Sequence, residues 1–526
     1  MSSTSADIHS CRSLDDLMKR AATLWPDNVA MIDGDVVVTH RQLDEMVDRL
    51  ASELVEAGLT SGMRCGIAMD HRWWNFAALL AVGRAGLAAL PLNIRSTPVE
   101  LQEQMARSGA DALIVSAAHL ARFATVSGWE YLSYVGLLDD VEAQGQAATT
   151  LGSCAVTAMD TNRAARTVEI RVDSDAPGTL WFTGGSTGNP KLVVHSRQAP
   201  VHAIVSWIER LKLTSRDRGF ALNFYHISTM SNTGAMLAAG GSVVIIPEFR
   251  VPTILSLIER HKATLLITLA LFPNLLVRDP SVPERYDLSS LRLVLVGGAP
   301  TDHSVMRAAF DLLPNAEWGQ GWAQTELCSG GAAIYGQEFR DRIASVGKPL
   351  SCVEGLEIRD EFDRRTEAGT VGEVCIKGPS VMLRYEGAGE SGDEPRNGWM
   401  HTGDLGFVDE DGYLHLAGRK RELIIRGGEN LYPGEIEAVL MSHPAILECA
   451  VVGIRDTVMT EVPIAFVVRR PHHEAVTAEE IREYAEARLS RFKQPVAYEW
   501  IAELPRNSIG KIQKTALREI GTEYAR

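Results

Sequence analysis

Aromatic side chains are scarce, at 6% of the chain, and cysteines number 7. Those seven, Cys11, Cys65, Cys154, Cys328, Cys352, Cys375 and Cys449, are scattered, odd in number and include no CxxC pair. Such spacing excludes a disulfide framework and a zinc site, and it fits a reducing, cytoplasmic setting. Long apolar runs are missing too: the most apolar, Thr264 to Val277, is too short to span a bilayer. Positive charge is the minority sign, with 52 Lys and Arg against 67 Asp and Glu and a net charge of -15. That balance argues against a nucleic-acid or anionic-membrane partner. Met1 to Ser10 has neither a basic stretch nor an apolar core, so no secretory signal is expected. Internal repeats and low-complexity tracts are absent as well.

What is present is an ordinary globular composition, 45% hydrophobic and 23% charged, in 526 residues. A chain of that length is too long for one core, so two or more domains are expected. Thr39 to Leu54 reads as a helix, with Thr39 as cap and Gln42 completing a capping box. Leu43, Val47, Leu50 and Leu54 form its apolar stripe, and Gly58 ends it. Cys65 to Met69 is predicted as a strand, Trp73 to Arg84 as a helix and Leu87 to Leu92 as another apolar run. Continuous apolar runs at Val243–Ile246, Leu265–Ile267 and Leu293–Val296 predict buried parallel strands covered on both faces by helices, an α/β class. After about residue 340, Glu373–Lys377 and Tyr413–Leu416 pattern like antiparallel strands. Beyond residue 420 a small α+β unit is predicted, with strands at Ala450–Val452 and Ile464–Val468 and a helix capped by Thr477 and Glu480. Gly418-Arg419-Lys420-Arg421, glycine-led and charged, suits a linker.

The chemistry starts at Phe182-Thr183-Gly184-Gly185-Ser186-Thr187-Gly188-Asn189-Pro190-Lys191. Glycines admit an oxyanion close to the backbone, hydroxyls and N–H groups donate to it, and the lysine adds charge. It is not the common P-loop, which needs Gly-Lys-Ser/Thr opening a helix; here Leu192-Val193-Val194 follows like a strand. By itself the segment serves equally as a hairpin turn.

Five further segments join it. Gly319-Gln320-Gly321-Trp322-Ala323-Gln324-Thr325-Glu326 offers an aromatic, a hydroxyl and a carboxylate: an exposed Trp322 could stack on a base, Thr325 bond a phosphate and Glu326 hold Mg²⁺, while a core tryptophan is the other reading. Gly297-Gly298-Ala299-Pro300 follows a buried strand, where open sheets bind ligands. Trp399-Met400-His401-Thr402-Gly403-Asp404 ends on a carboxylate suited to a ribose diol. Gly427-Gly428-Glu429-Asn430-Leu431-Tyr432-Pro433-Gly434-Glu435-Ile436-Glu437 is a glycine loop leading into a helix. Pro505-Arg506-Asn507-Ser508-Ile509-Gly510-Lys511 places a lysine after glycine on a turn.

In this order, the set resembles the adenylate-forming superfamily of acyl-CoA synthetases, adenylation domains and firefly-type luciferases, over nearly the whole chain. The resemblance implies a large N-terminal domain, residues 1–420, of stacked mostly parallel sheets with helices and a distorted β-barrel subdomain. A small mobile α+β domain, residues 421–526, would swing about a hinge at Arg421. It implies a phosphate grip on ATP at Thr183, Gly184, Gly185, Ser186, Thr187, Gly188 and Lys191. Gly298, Ala299, Pro300, Gly321, Trp322 and Ala323 would flank the adenylate, Asp404 and Arg419 the ribose, and Thr325 and Glu326 the α-phosphate and Mg²⁺. Lys511 would bridge carboxylate and α-phosphate, His226 would gate the acyl carboxylate, and Gly427 and Gly428 would enter the site for thiolation. The wording at 427–437 looks like that of acyl-CoA ligases, which implies coenzyme A as acceptor. No carrier-protein module follows Lys511, and no insertion of the fatty acyl-AMP ligase kind interrupts Trp399–Ile425. A carrier-protein thiol is the alternative acceptor, a non-catalytic adenylate-binding homologue a further one, and a homodimer an allowed assembly.

The chain departs from the family wording at Gly184, Leu192, Ala323, Arg384, Asn507 and Ile509. The acyl pocket is expected from Ser228, Thr229, Met230, Asn232, Thr233, Gly297, Gly298, Gly321 and Ala323. That lining is small and mixed, with no cation for a second carboxylate, so a hydrophobic fatty, aryl or alicyclic acid is expected.

Overall fold

The capping box at Thr39 forms: its hydroxyl accepts the Gln42 N–H, and the Gln42 side chain accepts the Thr39 N–H. The helix runs His40–Glu56, two residues beyond its apolar stripe. It packs against the Trp73–Arg84 helix, which lies at its expected bounds. Arg84, 1% exposed, joins these two helices to a third, Leu14–Leu24, by pairing with Asp15 at 2.7 Å, Asp44 at 2.5 Å and Asp48 at 2.8 Å. A buried guanidinium is tolerable only when it is paired in this way.

The computed structural model describes residues 8–138, 150–183, 190–299, 301–387, 394–506 and 512–524. Three sheets make the α/β body. The widest has nine strands, and its middle runs parallel through Pro177–Thr183, Ala88–Pro91, Arg64–Ala68, Ala112–Val115 and Tyr134–Leu137. Lys191–Ser196 and Arg384–Glu386 are added antiparallel at one edge. A five-stranded sheet carries the parallel neighbours Leu265–Leu269, Leu293–Gly297 and Glu317–Trp322, then turns antiparallel. A four-stranded sheet pairs Ser242–Ile245 in parallel with Val29–Asp33 and Arg218–Ala221. The parallel runs bury both faces, which explains their unbroken apolar wording.

After residue 340 the style changes as expected. Gly355–Arg359, Gly372–Lys377, Trp399–Val408 and Leu414–Arg419 form an antiparallel sheet. A short helical turn, Lys420–Glu422, follows. Beyond it, Ile446–Asp456 and Thr460–Arg469 pair antiparallel in the smaller α+β domain, longer than their apolar cores suggested. Thr477 caps the helix Ala478–Glu486 with the expected box. No described helix is long and apolar enough to cross a membrane.

Candidate active site

The carboxyl ends of Leu293–Gly297 and Glu317–Trp322 lie side by side, and a Cβ on Gly297 would stand 3.2 Å from the Gly321 carbonyl oxygen. Gly298 has φ +84°, a left-handed backbone that favours glycine, and Ala299 is exposed beside it. A Cβ on Gly321 would stand 3.3 Å from Trp207 and 3.7 Å from Leu295, so Gly321 lets these side chains pack closely against the backbone. Pro300 lies outside the described residues.

Asp404 reaches this mouth because its strand is irregular. The ladder between Gly372–Lys377 and Trp399–Val408 pairs Glu373 with Leu405 and Cys375 with His401. Thr402, Gly403 and Asp404 therefore stand together opposite Val374 alone. The bulge is held from within: Thr402 Oγ1 donates to the Val374 carbonyl at 2.7 Å, and Asp404 N–H donates to Thr402 Oγ1 at 3.1 Å. Gly403 takes φ +67°, and its N–H donates to Glu373 Oε1 at 3.1 Å. Bulges bend a strand and re-aim side chains; here the product is a carboxylate only 5% exposed.

Three donors meet Asp404. Trp322 Nε1 lies 2.8 Å and Gln324 Nε2 2.7 Å from Oδ2, while Arg419 Nε lies 2.5 Å from Oδ1. Gln324 also donates to the Thr402 carbonyl at 3.0 Å, clamping the bulge from the other side. A carboxylate has about four acceptor positions, so one remains for a ligand hydroxyl. The Trp322 ring is buried among Val193, Leu327, Tyr385 and Met400. It takes the core position of the two readings, and its contribution at the mouth is the N–H on Asp404.

A second carboxylate stands nearby. Glu326, in the turn Thr325–Leu327, accepts Tyr385 O–H at 2.8 Å. Lys191 Nζ sits 4.6 Å from the centre of the same tyrosine ring. Tyr385 thus joins the lysine of the glycine loop to Glu326. The two ends of that loop are strand partners, Thr183 opposite Lys191, so the loop closes a hairpin; Gly184, Gly185, Ser186, Thr187 and Gly188 lie outside the described residues. The Thr325 carbonyl accepts from His195 Nε2 at 2.7 Å. Burial drives the His195 imidazole down to about 4, the Thr325 bond opposing it, so the ring is neutral at pH 7.

His226 is half-buried at the start of the helix Ile227–Ala238, its ring 4.6 Å from that of Tyr225. Ser228 is exposed and Asn232 half-buried on this helix, whereas Met230 and Thr233 are fully buried and Thr229 Oγ1 accepts the Asn223 N–H. The expected pocket lining is therefore narrower than the whole segment.

Arg421 sits in the Lys420–Glu422 turn within electrostatic reach of Glu422, Asp404 and Glu326. Lys514 ties Glu422, at 3.0 Å, to Glu437, at 2.7 Å, on the helix Pro433–Met441. Gly427 and Gly428 form the two-residue turn of a hairpin in which Arg426 pairs with Glu429. Their φ values, +58° and +89°, are those such turns require. Both are exposed, and the Gly427 N–H donates to the Met459 carbonyl at 2.7 Å. Lys511 lies outside the described residues.

The pattern of the AMP-binding enzyme family matches residues 18–386, and that of the AMP-binding enzyme C-terminal domain matches 435–511. The chain belongs to the AMP-binding enzyme family. Among relatives of this adenylate-forming group, a 2-succinylbenzoate–CoA ligase from Bacillus subtilis is 31% identical over 510 residues, 96% of this chain and 97% of the relative. The long-chain-fatty-acid–CoA ligase FadD13 of Mycobacterium tuberculosis is 28% identical over 96% of this chain and 97% of its own. Among solved structures, the B. subtilis o-succinylbenzoate CoA synthetase with its acyl-adenylate superposes with a TM-score of 0.80 at 29% identity, covering 95% and 97% of the two chains. The amide bond synthetase McbA from Marinactinospora thermotolerans superposes at 0.85 and 28% identity, covering 96% and 99%. These full-length matches place the large AMP-binding domain and the small C-terminal domain in one fold.

Gln324, Tyr385, His195 and Glu373 escape sequence reasoning. Each acts through a partner 30 to 130 positions away along the chain. Only the cross-strand register brings them together.

A cavity of about 440 Å³ lined by Leu356, Ile358, Arg365, Thr366 and Val408 shares no residue with this site.

Proposed function

We propose that this enzyme is an ATP-dependent acid–CoA ligase that activates a hydrophobic fatty, aryl or alicyclic carboxylic acid as its acyl-adenylate. The observation that carries the reading is the buried Asp404, pre-set by Trp322, Gln324 and Arg419 beside the Glu326–Tyr385–Lys191 chain. A carboxylate is a poor acyl donor because oxide is its leaving group. Attack of its oxygen on the α-phosphorus of ATP expels pyrophosphate, and a thiolate then attacks the acyl carbon and expels AMP.

In this reading Asp404 and Arg419 hold the ribose, Thr183, Lys191 and the intervening loop hold the outer phosphates, and Thr325 reaches the α-phosphate. Lys511 neutralises charge where acyl oxygen and phosphorus meet. Glu326 would hold Mg²⁺ together with the phosphate oxygens, the usual arrangement for an ion that retains few protein ligands. A carboxylate oxygen is the kind of hard donor that Mg²⁺ takes, which fits Glu326. The bound ion would supply charge neutralisation at the phosphates. His226 gates the carboxylate, and the Gly427–Gly428 turn enters for thiolation as the small domain rotates about Arg421.

A panel of carboxylic acids in a pyrophosphate-release assay, with acyl-CoA followed by mass spectrometry, tests this. Turnover on fatty or ring acids with CoA formation is expected. Adenylate formation without acyl-CoA would transfer the acceptor to a carrier-protein thiol, or to an amine as the name of one structural relative suggests. Turnover confined to a dicarboxylate or an amino acid would overturn the acid class. Silence across the panel would leave a non-catalytic adenylate binder.

A further inference from the structure

Glu373 sits at the foot of the Asp404 bulge, and both of its oxygens are engaged. Oε1 accepts the Gly403 N–H at 3.1 Å. Oε2 accepts from Lys420 Nζ at 2.8 Å and lies 3.3 Å from His401 Nδ1. The two oxygens do different work. Because three residues face one across the ladder, the inward N–H of Gly403 has no strand partner, and the carboxylate takes the place of the missing carbonyl. Lys420, for its part, stands between Arg419, which pairs with Asp404, and Arg421. A single side chain therefore touches both the turn that presents Asp404 and the first residue of the connection to the small domain. Burial opposes the charge on Glu373, but Lys420 and His401 outweigh it and hold the carboxyl below its ordinary range.

We propose that Glu373 is a positioning residue that couples the Asp404 turn to the interdomain hinge through Lys420. The proposal rests on Asp404 as the ribose ligand and on Arg421 as the pivot. The Lys420 end of the pair is 59% exposed and the Glu373 end 10%. Such a pair can bias a two-position hinge without locking it. With it intact, the chain entering the hinge is tethered to the large domain's sheet in the arrangement seen here. Without it, the balance between adenylating and thiolating positions moves.

The two oxygens can be separated experimentally. Glu373→Gln retains an acceptor for Gly403 and loses the charge facing Lys420; Lys420→Met removes the same pair from its other end; Glu373→Ala loses both functions. Pyrophosphate exchange and thiolation of supplied acyl-adenylate by CoA are measured separately, with thermal unfolding as the fold control. Glu373→Gln and Lys420→Met should each change the ratio of the two half-reactions about fivefold in the same direction. They should leave the KM for ATP within about twofold, and the double variant should add nothing, since the residues act as one pair. Glu373→Ala should also raise the KM for ATP about tenfold, which the glutamine variant rescues. Unchanged ratios, additive single effects, or equal KM defects in the alanine and glutamine variants would each overturn the coupling. Asp404→Asn is assayed alongside: if it leaves ATP affinity intact, the ribose reading fails and the coupling falls with it. If ATP affinity is lost there while the Glu373 and Lys420 variants keep the wild-type ratio, the coupling alone fails.

Discussion

The Asp404 wall of the large domain and the Gly427–Gly428 turn of the small one offer chemistry by opposite means. At the wall, donors and acceptors satisfy one another before any ligand arrives: Trp322, Gln324 and Arg419 converge on one buried carboxylate. At the turn, two exposed glycines offer bare backbone, and a Cβ on Gly428 would meet nothing within 4 Å. A group proposed to hold a ribose in one orientation gains from a rigid, desolvated setting. A segment proposed to enter beside a thiol gains from having no side chain to clear. The wall should therefore fail in stability and in adenylation together, and the turn, at a small cost in stability, in thiolation alone.

The largest expected effect is that of Asp404→Ala, which leaves the Arg419 guanidinium, the Trp322 N–H and the Gln324 amide without their acceptor. Urea unfolding should show a loss of about 2–4 kcal/mol, with pyrophosphate exchange falling to background. A stable variant that binds ATP normally would break the comparison at its first term.

The large domain also has a pH signature. His195, bonded to the Thr325 carbonyl, and His71, which bonds the Ala221 carbonyl and packs on Phe224, are both depressed to about 4 by burial, from an ordinary value of 6.5. Each is neutral in the folded chain while the unfolded chain takes up protons below pH 6.5. Stability contributed by the neutral rings is present above that pH and is lost as the pH falls toward 4, on the order of 3 kcal/mol per ring. His195→Phe should remove the share of that slope due to this ring in urea titrations between pH 6.5 and 4. An unchanged slope would remove His195 from the account.

Glu326→Gln sharpens the comparison from within the large domain. Glu326 meets one hydroxyl, that of Tyr385, so the fold should lose at most about 0.5 kcal/mol. Adenylation should slow about 100-fold, with a higher Mg²⁺ requirement in pyrophosphate exchange. Destabilisation as large as that of Asp404→Ala would erase the distinction between a structural carboxylate and a reserved one.

The smallest effect on activity is expected at the turn. Gly427→Ala must adopt φ +58° and displace Met459, whose Cε would lie 2.8 Å from the new Cβ. The cost should be about 1 kcal/mol, with thiolation of supplied acyl-adenylate slowed several-fold and pyrophosphate exchange unchanged. Equal slowing of both half-reactions would return the turn to a purely structural part.

Much of this was legible in the order of residues. The capped helices at Thr39 and Thr477 and the buried parallel strands follow from local chemistry, and they form within a few residues of expectation. Asp404 and Arg419 stand out because a carboxylate or cation beside glycine is a local pattern, and Glu326 because a carboxylate follows a hydroxyl in the Trp322–Glu326 run. What stayed illegible depends on register. Trp322 suited both a base-stacking surface and the core; packing against Val193, Leu327, Tyr385 and Met400 buries its ring, and a hydrogen bond spanning 82 positions aims its N–H at Asp404. Gln324 and Glu373 look like any strand-side polar residues until the bulge brings Thr402–Asp404 between them. Gly184–Gly188 and Lys511 lie outside the described residues, so their roles rest on the family resemblance and the proposal built on it.

The bulge has a consequence for which changes this segment can absorb. Side chains on a strand alternate faces, so adding or deleting one residue between Trp399 and Asp404 would turn the carboxylate to the opposite side of the sheet. Thr402, whose hydroxyl spans the kink, tolerates chemistry that keeps an oxygen there, and Met400 any apolar side chain of similar volume. The segment is thus permissive in spelling and strict in length: a one-residue indel here would strand Arg419, Trp322 and Gln324 facing an empty corner, even in a protein whose every strand still formed.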